Sequence, residues 1–338
     1  MRRTLTILLA AAAVLGGQTP RELIEAGHYK RALAALGGRT PDAESLYCMA
    51  TIKEAAGELE AAEKFAERAV AANPKEAQYH YRLSEISGSR AQKAGVFHQI
   101  GLAKTFKKEC DVALSLNPDH PGALMNMMQF YLHAPGIIGG DKTKARGIAD
   151  HIAKLDPFQG VQAQIEIAAA AKDENRIDEL QRKLAEMRAE SFDGHLMVGN
   201  YMAGGKAKRY DEAERHAREA IRLKPDRVAG HALLAAALVR LDKWTELDAA
   251  LAQAEKDDPD NLWPYYRAGN NLLDRKIDLP RAERYFRKYL TQEPEMRMPS
   301  LGAAHWRLSL VLEQEGRKPE SASEWQTAQK LDPALKKK

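Results

Sequence analysis

Residues 57–74 read GELEAAEKFAERAVAANP, and residues 210–225 read YDEAERHAREAIRLKP. In both stretches alanines recur at helical spacing on one face, and charged side chains occupy most other positions. A proline closes each stretch, and proline cannot continue a helix because it lacks an N–H and its ring clashes with the preceding turn. Each stretch is therefore predicted to be an amphipathic helix that ends at a defined turn.

The same ending recurs along the chain. Seven prolines close similar helical segments: Pro74, Pro118, Pro157, Pro225, Pro259, Pro294 and Pro333. Their spacings are 44, 39, 68, 34, 35 and 39 residues, which fit a period of 34 with small insertions and one missing proline. A period of 34 residues is typical of a repeated helix–turn–helix unit.

Small residues recur in register with these prolines. Five residues before the proline, five of the seven segments carry alanine: Ala69, Ala113, Ala220, Ala254 and Ala328. The eighth residue of most units is also small: Ala50, Ser84, Gly199, Ala235, Gly269 and Ser309. Such residues let two helices approach closely, whereas bulky side chains such as Phe106, Leu247 and Tyr289 at small-residue positions indicate local differences in packing.

These residues resemble the tetratricopeptide repeat (TPR) family, from about Arg21 to Pro333. The resemblance implies an all-α fold, a right-handed superhelix (α-solenoid) of about eight helix–turn–helix repeats. The array is expected to occupy residues 18–338, and its first unit looks truncated. The expected units are residues 21–41, 42–74, 75–118, 119–157, 158–193, 194–225, 226–259, 260–294 and 295–333.

The composition of the chain excludes several classes of protein. The 338 residues include 51 basic and 47 acidic side chains, which gives a formal charge of +4. A charge this close to balance does not favour nucleic-acid binding. Two cysteines exclude a disulfide-built scaffold and a cysteine-rich zinc module. The cysteines, Cys48 and Cys110, are expected to be buried small side chains, with a disulfide between them left open as an alternative.

The N-terminus has the features of an export signal. Arg2 and Arg3 precede an apolar run over residues 5–15, followed by Gly16 and Gly17. The run is too short to cross a bilayer, so residues 1–17 are predicted to be a cleaved signal peptide of a bacterial protein. The mature chain would be periplasmic or secreted and would contain no transmembrane segment.

Three insertions interrupt the period. The first, around residues 88–99, predicts that the second helix of its unit begins early, near Val96, and protrudes by two or three turns. The second forms a glycine-rich loop over residues 134–141. The third, around residues 296–300, lies between units and is expected to loosen the stacking of the last repeat.

The resemblance implies a concave groove lined by the second, fifth and ninth residues of each unit. These positions carry aromatic, methionine and amide side chains, which suit capture of a peptide or helix. The predicted groove residues are Tyr47, Tyr81, Met125, Gln129, Asn200, Trp263, Tyr266, Asn270 and Trp306, joined by Thr51, Gln78, Glu85 and Leu310. A register shift of one residue would instead place some of them in the core.

Other candidate sites are weaker. The insert loop, Gly136, Ile137, Ile138, Gly139, Gly140 and Asp141, nearly matches a phosphate-binding loop. Asp141 stands where that motif needs glycine, so a helix cap is favoured over a nucleotide site. The histidines His80, His231 and His305 lack metal-ligand spacing and are interpreted as structural. No catalytic motif, metal site or cofactor is predicted.

The sequence thus favours a non-catalytic scaffold that captures a peptide or helix of a partner protein in its groove. The two-carboxylate clamp of some TPR domains is not favoured, because Arg267, Asn270 and Arg307 supply only part of it. One alternative is a small-ligand binder, or an accessory subunit of an uptake system, that uses the 134–143 loop. A second is a self-assembling scaffold, which leaves a homo-oligomer open.

Overall fold

A computed structural model describes residues 17–38, 40–187, 189–204 and 207–336, and the regular elements within these ranges are all helical. Residues 1–16 of the expected signal peptide lie outside the described residues. The all-α prediction is confirmed: the described chain is a right-handed superhelix of stacked helix pairs.

Eighteen α-helices over the described residues form nine consecutive pairs. The pairs are α1 Pro20–Ala26 with α2 Tyr29–Leu36, α3 Ala43–Ala55 with α4 Leu59–Ala72, α5 Ala77–Lys93 with α6 Val96–Leu116, α7 Pro121–His133 with α8 Lys142–Leu155, α9 Pro157–Ala170 with α10 Glu174–Glu186, α11 Phe192–Ala203 with α12 Tyr210–Leu223, α13 Val228–Arg240 with α14 Trp244–Asp257, α15 Trp263–Arg275 with α16 Leu279–Tyr289, and α17 Leu301–Gln314 with α18 Lys318–Leu331. A short 3₁₀ turn, Gly136–Ile138, lies between α7 and α8.

The second helix of most pairs ends for the same local reason. Proline disfavours helical backbone in the residue before it, and that residue ends the helix in an extended conformation. In six of these positions φ lies between −139° and −145° and ψ between 82° and 109°: Asn73, Asn117, Asp156, Lys224, Asp258 and Asp332. The repeat prolines therefore set the turn between successive pairs.

Small residues form the contacts between helices. Ala62, Ala66 and Ala69 of α4 are fully buried, as are the equivalent alanines of α12. One close approach is between α8 and α9, where a Cβ built on Gly160 would lie 2.4 Å from the Cα of Ala153. The stack depends on these positions remaining small, because there is no room for a larger side chain between the backbones.

The first insertion lengthens one pair. Helix α5 has 17 residues and α6 has 21, whereas the helices of the neighbouring pairs have 13 or 14. Helix α6 begins at Val96, so the predicted early start is confirmed. Seven extra residues correspond to about two helical turns, so this hairpin projects beyond its neighbours.

The third insertion, around residues 296–300, is held in place by hydrogen bonds and packing. Tyr289 at the end of α16 donates a hydrogen bond of 2.6 Å to the carbonyl of Pro299, and Glu295 is buried. Met296 packs against the hydrophobic cluster around Leu23 and Tyr47, at the other end of the chain. The array thus closes on itself, with its first pair touching its C-terminal half.

The two cysteines are free and fully buried, Cys48 in α3 and Cys110 in α6. Burial is the main cause that raises the pKa of each thiol to about 12. The thiolate, which is the reactive form, is therefore suppressed in the folded chain.

Substitution of Gly160 by alanine is expected to lower the stability of the array. The new methyl group collides with the backbone of Ala153, so α8 and α9 must separate, at a cost of about 1–3 kcal/mol. The midpoint of urea unfolding followed by circular dichroism measures the change. The matched control is Gly147→Ala in the neighbouring helix α8, since a Cβ there meets nothing within 4 Å. That control should raise stability by up to about 1 kcal/mol, and equal effects of both variants would contradict the close approach.

Both thiols are expected to resist a thiol-specific reagent in the folded chain at pH 8. They should react fully after unfolding in urea, because the barrier is burial and a raised pKa, not a disulfide. The measurement is the absorbance released by an aromatic disulfide reagent, before and after denaturation and without reductant. Absence of free thiol in the unfolded chain would show that Cys48 and Cys110 are oxidised.

Candidate partner-binding groove

The first helices of successive pairs pack in a series that lines one face of the array, including the contacts of α3 with α5, α5 with α7, and α15 with α17. The predicted groove residues differ in how much surface they leave for a partner. Tyr47 and Tyr266 are buried, with 5% and 7% of their surface exposed, and Asn200 is exposed. The half-buried members are Tyr81, Met125, Gln129, Trp263, Asn270 and Trp306.

The two buried rings have internal partners. Tyr266 packs between Phe286 and Tyr289, with ring centroids 5.5 Å and 5.1 Å away. Tyr47 stacks on Tyr79, with ring centroids 5.4 Å apart. The guanidinium carbon of Arg21 lies 4.5 Å from the centroid of the Tyr47 ring. Both rings stabilise the helix stack, which is the alternative that the sequence left open for residues at these positions.

A chain of hydrogen bonds ties the first three groove helices together. Gln78 donates from Nε2 to the hydroxyl of Tyr47 at 2.9 Å, and its Oε1 lies 2.8 Å from Nε2 of His120. His120 caps α7, because its Nδ1 accepts from the backbone N–H of Ala123. This bond assigns the proton of the ring to Nε2, which donates to Gln78.

The N-terminal groove network consists of Glu54, Tyr81, Arg82 and Glu85. Arg82 forms ion pairs with Glu54 at 3.0 Å and with Glu85 at 2.7 Å. Tyr81 donates to Glu85 at 2.6 Å, and its ring lies where a side chain on Gly122 would sit. Burial raises the pKa of Glu85 above its usual range, against the lowering effect of Arg82. Each charge in this network is met by another from the same chain, although Nε of Arg82 has no hydrogen bond, so the network differs from an unpaired arginine by its ion pairs.

The C-terminal groove site consists of Trp263, Arg267 and Asn270 of α15 with Trp306 and Arg307 of α17. Its two arginines occupy the same repeat position as Arg82, two residues before the small eighth residue. Arg82 has two carboxylate partners, Glu54 and Glu85. At the equivalent repeat positions, Arg267 has Val239 and Asn270. Arg307 has Leu273 and Leu310. The arginines at this repeat position therefore have no carboxylate at the equivalent places in this half of the groove.

Polar atoms of the C-terminal groove site lack partners among the described residues. Arg267 and Arg307 form no ion pair there, and four buried atoms have no hydrogen bond: Arg267 Nε, Asn270 Oδ1, Trp306 Nε1 and Arg307 Nε. The Arg307 guanidinium lies 4.7 Å from the Trp306 ring, and that of Arg267 lies 5.8 Å from the Trp263 ring. Burial, with no opposing charge, lowers the pKa of Arg267.

This arrangement is suited to binding an anion. Guanidinium groups present planar N–H donors that match a carboxylate, and buried donors without partners cost free energy until a ligand satisfies them. The two indoles beside them supply apolar surface and one further N–H donor. The site can therefore hold an acidic side chain next to an apolar one.

The insert loop is built mainly as a connection. Asp141 caps α8, its Oδ1 accepting from the N–H groups of Thr143 at 2.9 Å and Lys144 at 3.1 Å. A Cβ on Gly140 would lie 1.8 Å from the carbonyl oxygen of Ala134, which explains glycine there. Ile137 is 96% exposed, Ile138 is half-buried, and Gly139 adopts φ 107°.

A cavity of about 560 Å³ lies beside Met125. Its lining comes from α5, α7, α8 and the start of α9 and includes Tyr81, Gly122, Asn126 and Leu155. No residue of the 134–143 loop contributes to this lining. A small-ligand site that combines this cavity with the loop therefore has no direct support from the geometry.

The histidines singled out in the sequence have structural partners. His80 and His231 each donate to the carbonyl of the repeat proline six residues earlier, Pro74 at 3.0 Å and Pro225 at 2.9 Å. His305 lies 2.6 Å from Glu324. Within the described ranges no three metal-binding side chains cluster, and no helix has the length and apolar character needed to span a membrane.

Reasoning from the sequence missed Glu54 and Arg82, which organise the N-terminal groove network. It found Arg267 and Arg307 only as parts of an incomplete clamp. A usable signal existed, because arginine precedes the small eighth residue by two positions in three units. Comparing the acidic residues around these three positions would have separated the paired arginine from the unpaired ones.

Replacing Arg82 by leucine is expected to destabilise the array by about 3–5 kcal/mol, because Glu85 loses its cationic partner and Glu54 keeps only Arg297. The loss should shrink as the pH falls, because burial raises the pKa of Glu85 and its protonation removes the uncompensated charge. Urea unfolding at pH 7 and pH 4.5 measures both effects. The control is Arg176→Leu, which breaks an exposed pair with Glu179 and should change stability by less than about 0.5 kcal/mol. Similar losses in both variants would contradict the role assigned to Arg82.

Comparison with known proteins gives limited matches. The family model of regulator of microtubule dynamics protein 1-3 matches residues 43–130, about a quarter of the chain and the part that contains the long hairpin α5–α6. No curated protein matches. The matched part is too short to assign the whole chain to that family.

Solved structures of TPR-type helical repeat proteins align with the chain at low identity. Yeast Tom70 aligns over 93% of this chain and 84% of its own, with 13% identity and a TM-score of 0.45. A monomeric mutant of IFIT1 with Gppp-AAAA aligns over 93% and 76%, with 13% identity and a TM-score of 0.44. MamA AMB-1 aligns over 52% and 98%, with 22% identity and a TM-score of 0.33. Alignments this loose carry no information on what the chain binds.

Proposed function

We propose that this chain is a non-catalytic protein-interaction scaffold that captures an acidic peptide or helix of a partner protein in its concave groove. The observation that carries the proposal is the C-terminal groove site, where Arg267 and Arg307 have no carboxylate partner among the described residues. The equivalent Arg82 has two such partners. A partner that brings carboxylates would complete the same pairing at α15 and α17.

The flanking side chains favour a protein ligand over a free ion. Trp263 and Trp306 are half-buried beside the guanidinium groups and offer apolar surface to neighbouring residues of a bound segment. Tryptophan and arginine are the residue types that most often dominate the binding energy of protein interfaces. A segment with an acidic residue next to an aromatic or aliphatic one fits both features.

The scaffold is rigid before binding. Each helix pair packs on its neighbours, and partly buried hydrogen bonds link α3, α5 and α7 across the groove. Ordering costs on binding therefore fall mostly on the partner segment and not on the scaffold. The N-terminal groove network is already neutralised within the chain, so charge recognition is expected at α15 and α17.

We place this activity in the bacterial cell envelope or outside the cell. The support is the basic and apolar pattern of residues 1–17, which has the features of a cleaved export signal. The partner would then be another exported or membrane-anchored protein whose segment reaches the same compartment. Detection of the mature chain in a periplasmic extract, with a new N-terminus near residue 18, would support this location.

A phage-displayed library of random peptides, selected on the immobilised chain, is expected to enrich peptides with Asp or Glu beside an apolar residue. Binding of an enriched peptide, measured by fluorescence anisotropy, should weaken at least about tenfold in Arg267→Ala and in Arg307→Ala, because a charge-assisted hydrogen bond is lost. Both variants should fold normally, since neither arginine forms an ion pair with the described residues.

The matched control is Arg222→Ala on the second helix α12, where the arginine is exposed and pairs with Glu219. It should leave peptide affinity unchanged. Enrichment of neutral or basic peptides only, or unchanged affinity in both groove variants, would overturn the assignment of the site.

A further inference from the structure

The first helix pair lies against three successive loops of the C-terminal half. These loops are residues 224–227, 258–262 and 290–300, each of which joins one pair to the next. Arg31 of α2 contacts Asp258 at 3.2 Å and Asp260 at 2.5 Å. The backbone N–H of Lys30 donates to Glu295 Oε1 at 3.0 Å, and its ammonium donates to the carbonyl of Glu293 at 2.9 Å. The N-terminal closure defined by these contacts joins residues more than 220 positions apart.

Three buried titratable groups meet at the centre of the N-terminal closure. His28, Asp258 and Glu295 retain only 2%, 1% and 2% of their surface. Nδ1 of His28 lies 3.6 Å from Asp258 Oδ2, and its Nε2 lies 3.9 Å from Asp226 Oδ2. Each of the three groups has one polar atom without a hydrogen bond: His28 Nε2, Asp258 Oδ2 and Glu295 Oε2.

We propose that the N-terminal closure is a proton-dependent clasp, which holds the superhelix closed at mildly acidic pH and releases it as the pH rises above neutral. The clasp acts on conformation, and it does not depend on the function proposed for the groove.

The charges that face the cluster explain why protons favour the closed form. The four carboxylates are Asp226, Asp258, Asp260 and Glu295, and the three cations are Lys30, Arg31 and Arg227. At alkaline pH closure buries Asp258 and Glu295 as anions beside Asp260, each with one oxygen unsatisfied. A proton on Asp258 or on Glu295 removes a buried negative charge and supplies a donor from an oxygen that otherwise has no hydrogen bond.

The direction of the pKa shifts agrees with this geometry. Burial is the main cause that raises the pKa of Asp258 to about 7, with Asp260 and Glu295 adding to it, and burial also raises the pKa of Glu295. Groups whose pKa is raised by closure favour closure at low pH, and this contribution is lost as the pH rises through the raised value. Burial lowers the pKa of His28, which opposes closure at low pH. Above the ordinary pKa of histidine, about 6.5, His28 is neutral in both forms and no longer opposes the carboxyls.

The clasp also reaches the groove. Arg297, in the loop 290–300, forms an ion pair with Glu54 at 3.2 Å, and its guanidinium lies 5.7 Å from the ring of Tyr29. Glu54 belongs to the N-terminal groove network through its pair with Arg82. Opening the clasp would withdraw Arg297 and leave Glu54 accessible to a basic group from outside.

Energy transfer between two dyes tests the clasp in the full chain. The dyes are placed through Leu33→Cys in α2 and Lys256→Cys in α14, two exposed positions on opposite sides of the closure. Cys48 and Cys110 are buried and stay unlabelled in the folded chain. Transfer is expected to be high at pH 5.5 and to fall by pH 8. Over the range where closure takes up one net proton, the ratio of closed to open molecules should change about tenfold per pH unit.

The variant Asp258→Asn with Glu295→Gln removes both titrating carboxyls and is expected to stay closed, with high transfer, at both pH values. The control Asp119→Asn removes the partner of His151 in an exposed pair elsewhere and should follow the unsubstituted chain. Transfer that does not change with pH in the unsubstituted chain would overturn the proposal. The same pH course in the double variant would overturn it as well, and neither result bears on peptide binding at Arg267 and Arg307.

Discussion

The close approach of neighbouring helices through alanine and glycine is the constraint on which the rest of the structure depends. A helix pair of this size cannot bury its apolar face alone, so its stability comes from the pairs on either side. Contact at the distance seen between Gly160 and Ala153 leaves no space for larger side chains between the backbones. Aromatic, amide and charged side chains of the first helices are consequently displaced toward the groove, where they are available for other contacts.

One repeat position illustrates how the same scaffold supports structure in one half and recognition in the other. Arg82, Arg267 and Arg307 stand at equivalent places on α5, α15 and α17. Arg82 is neutralised by Glu54 and Glu85, and its role is to hold α3 and α5 together. The other two have aliphatic or amide neighbours in place of those carboxylates, so the fold carries the cost of their desolvation without an internal ion pair. A position that is costly to keep and has no structural partner is a reasonable place to expect a ligand.

Reasoning from the sequence predicted the features that repeat along the chain. It did not predict the contacts that occur in a single unit or between distant units. The helix ends at prolines and the small contact residues follow from local rules that recur every 34 residues or so. The early start of α6 follows from the helical spacing of apolar residues inside its own insertion. Tyr266 sits among Phe286 and Tyr289 because the bulky residue at 289 replaces an alanine, a change in one unit that periodicity cannot resolve. The closure of the array could not be predicted either, because Arg31 and Asp258 are brought together only by the accumulated curvature of the repeats between them. The insertion around residues 296–300 was expected to loosen the stack for the same reason. Lys30, which binds this connection at Glu295, cannot be found by a pattern that compares neighbouring units.

The groove site and the closure use different residues, which limits how strongly they can influence each other. The contacts of the first pair lie on loops at the edge of the array, whereas Arg267 and Arg307 project from α15 and α17. A ligand at these arginines can shift the closure only through a difference in its affinity for the closed and open forms. Among the described residues, Arg297 joins the loop before α17 to Glu54 in the other half of the groove. Coupling should therefore be weak for a short acidic segment held at α15 and α17. It should become strong only for a longer partner that also reaches Glu54 and displaces Arg297, because that partner would gain a contact that exists in the open form alone.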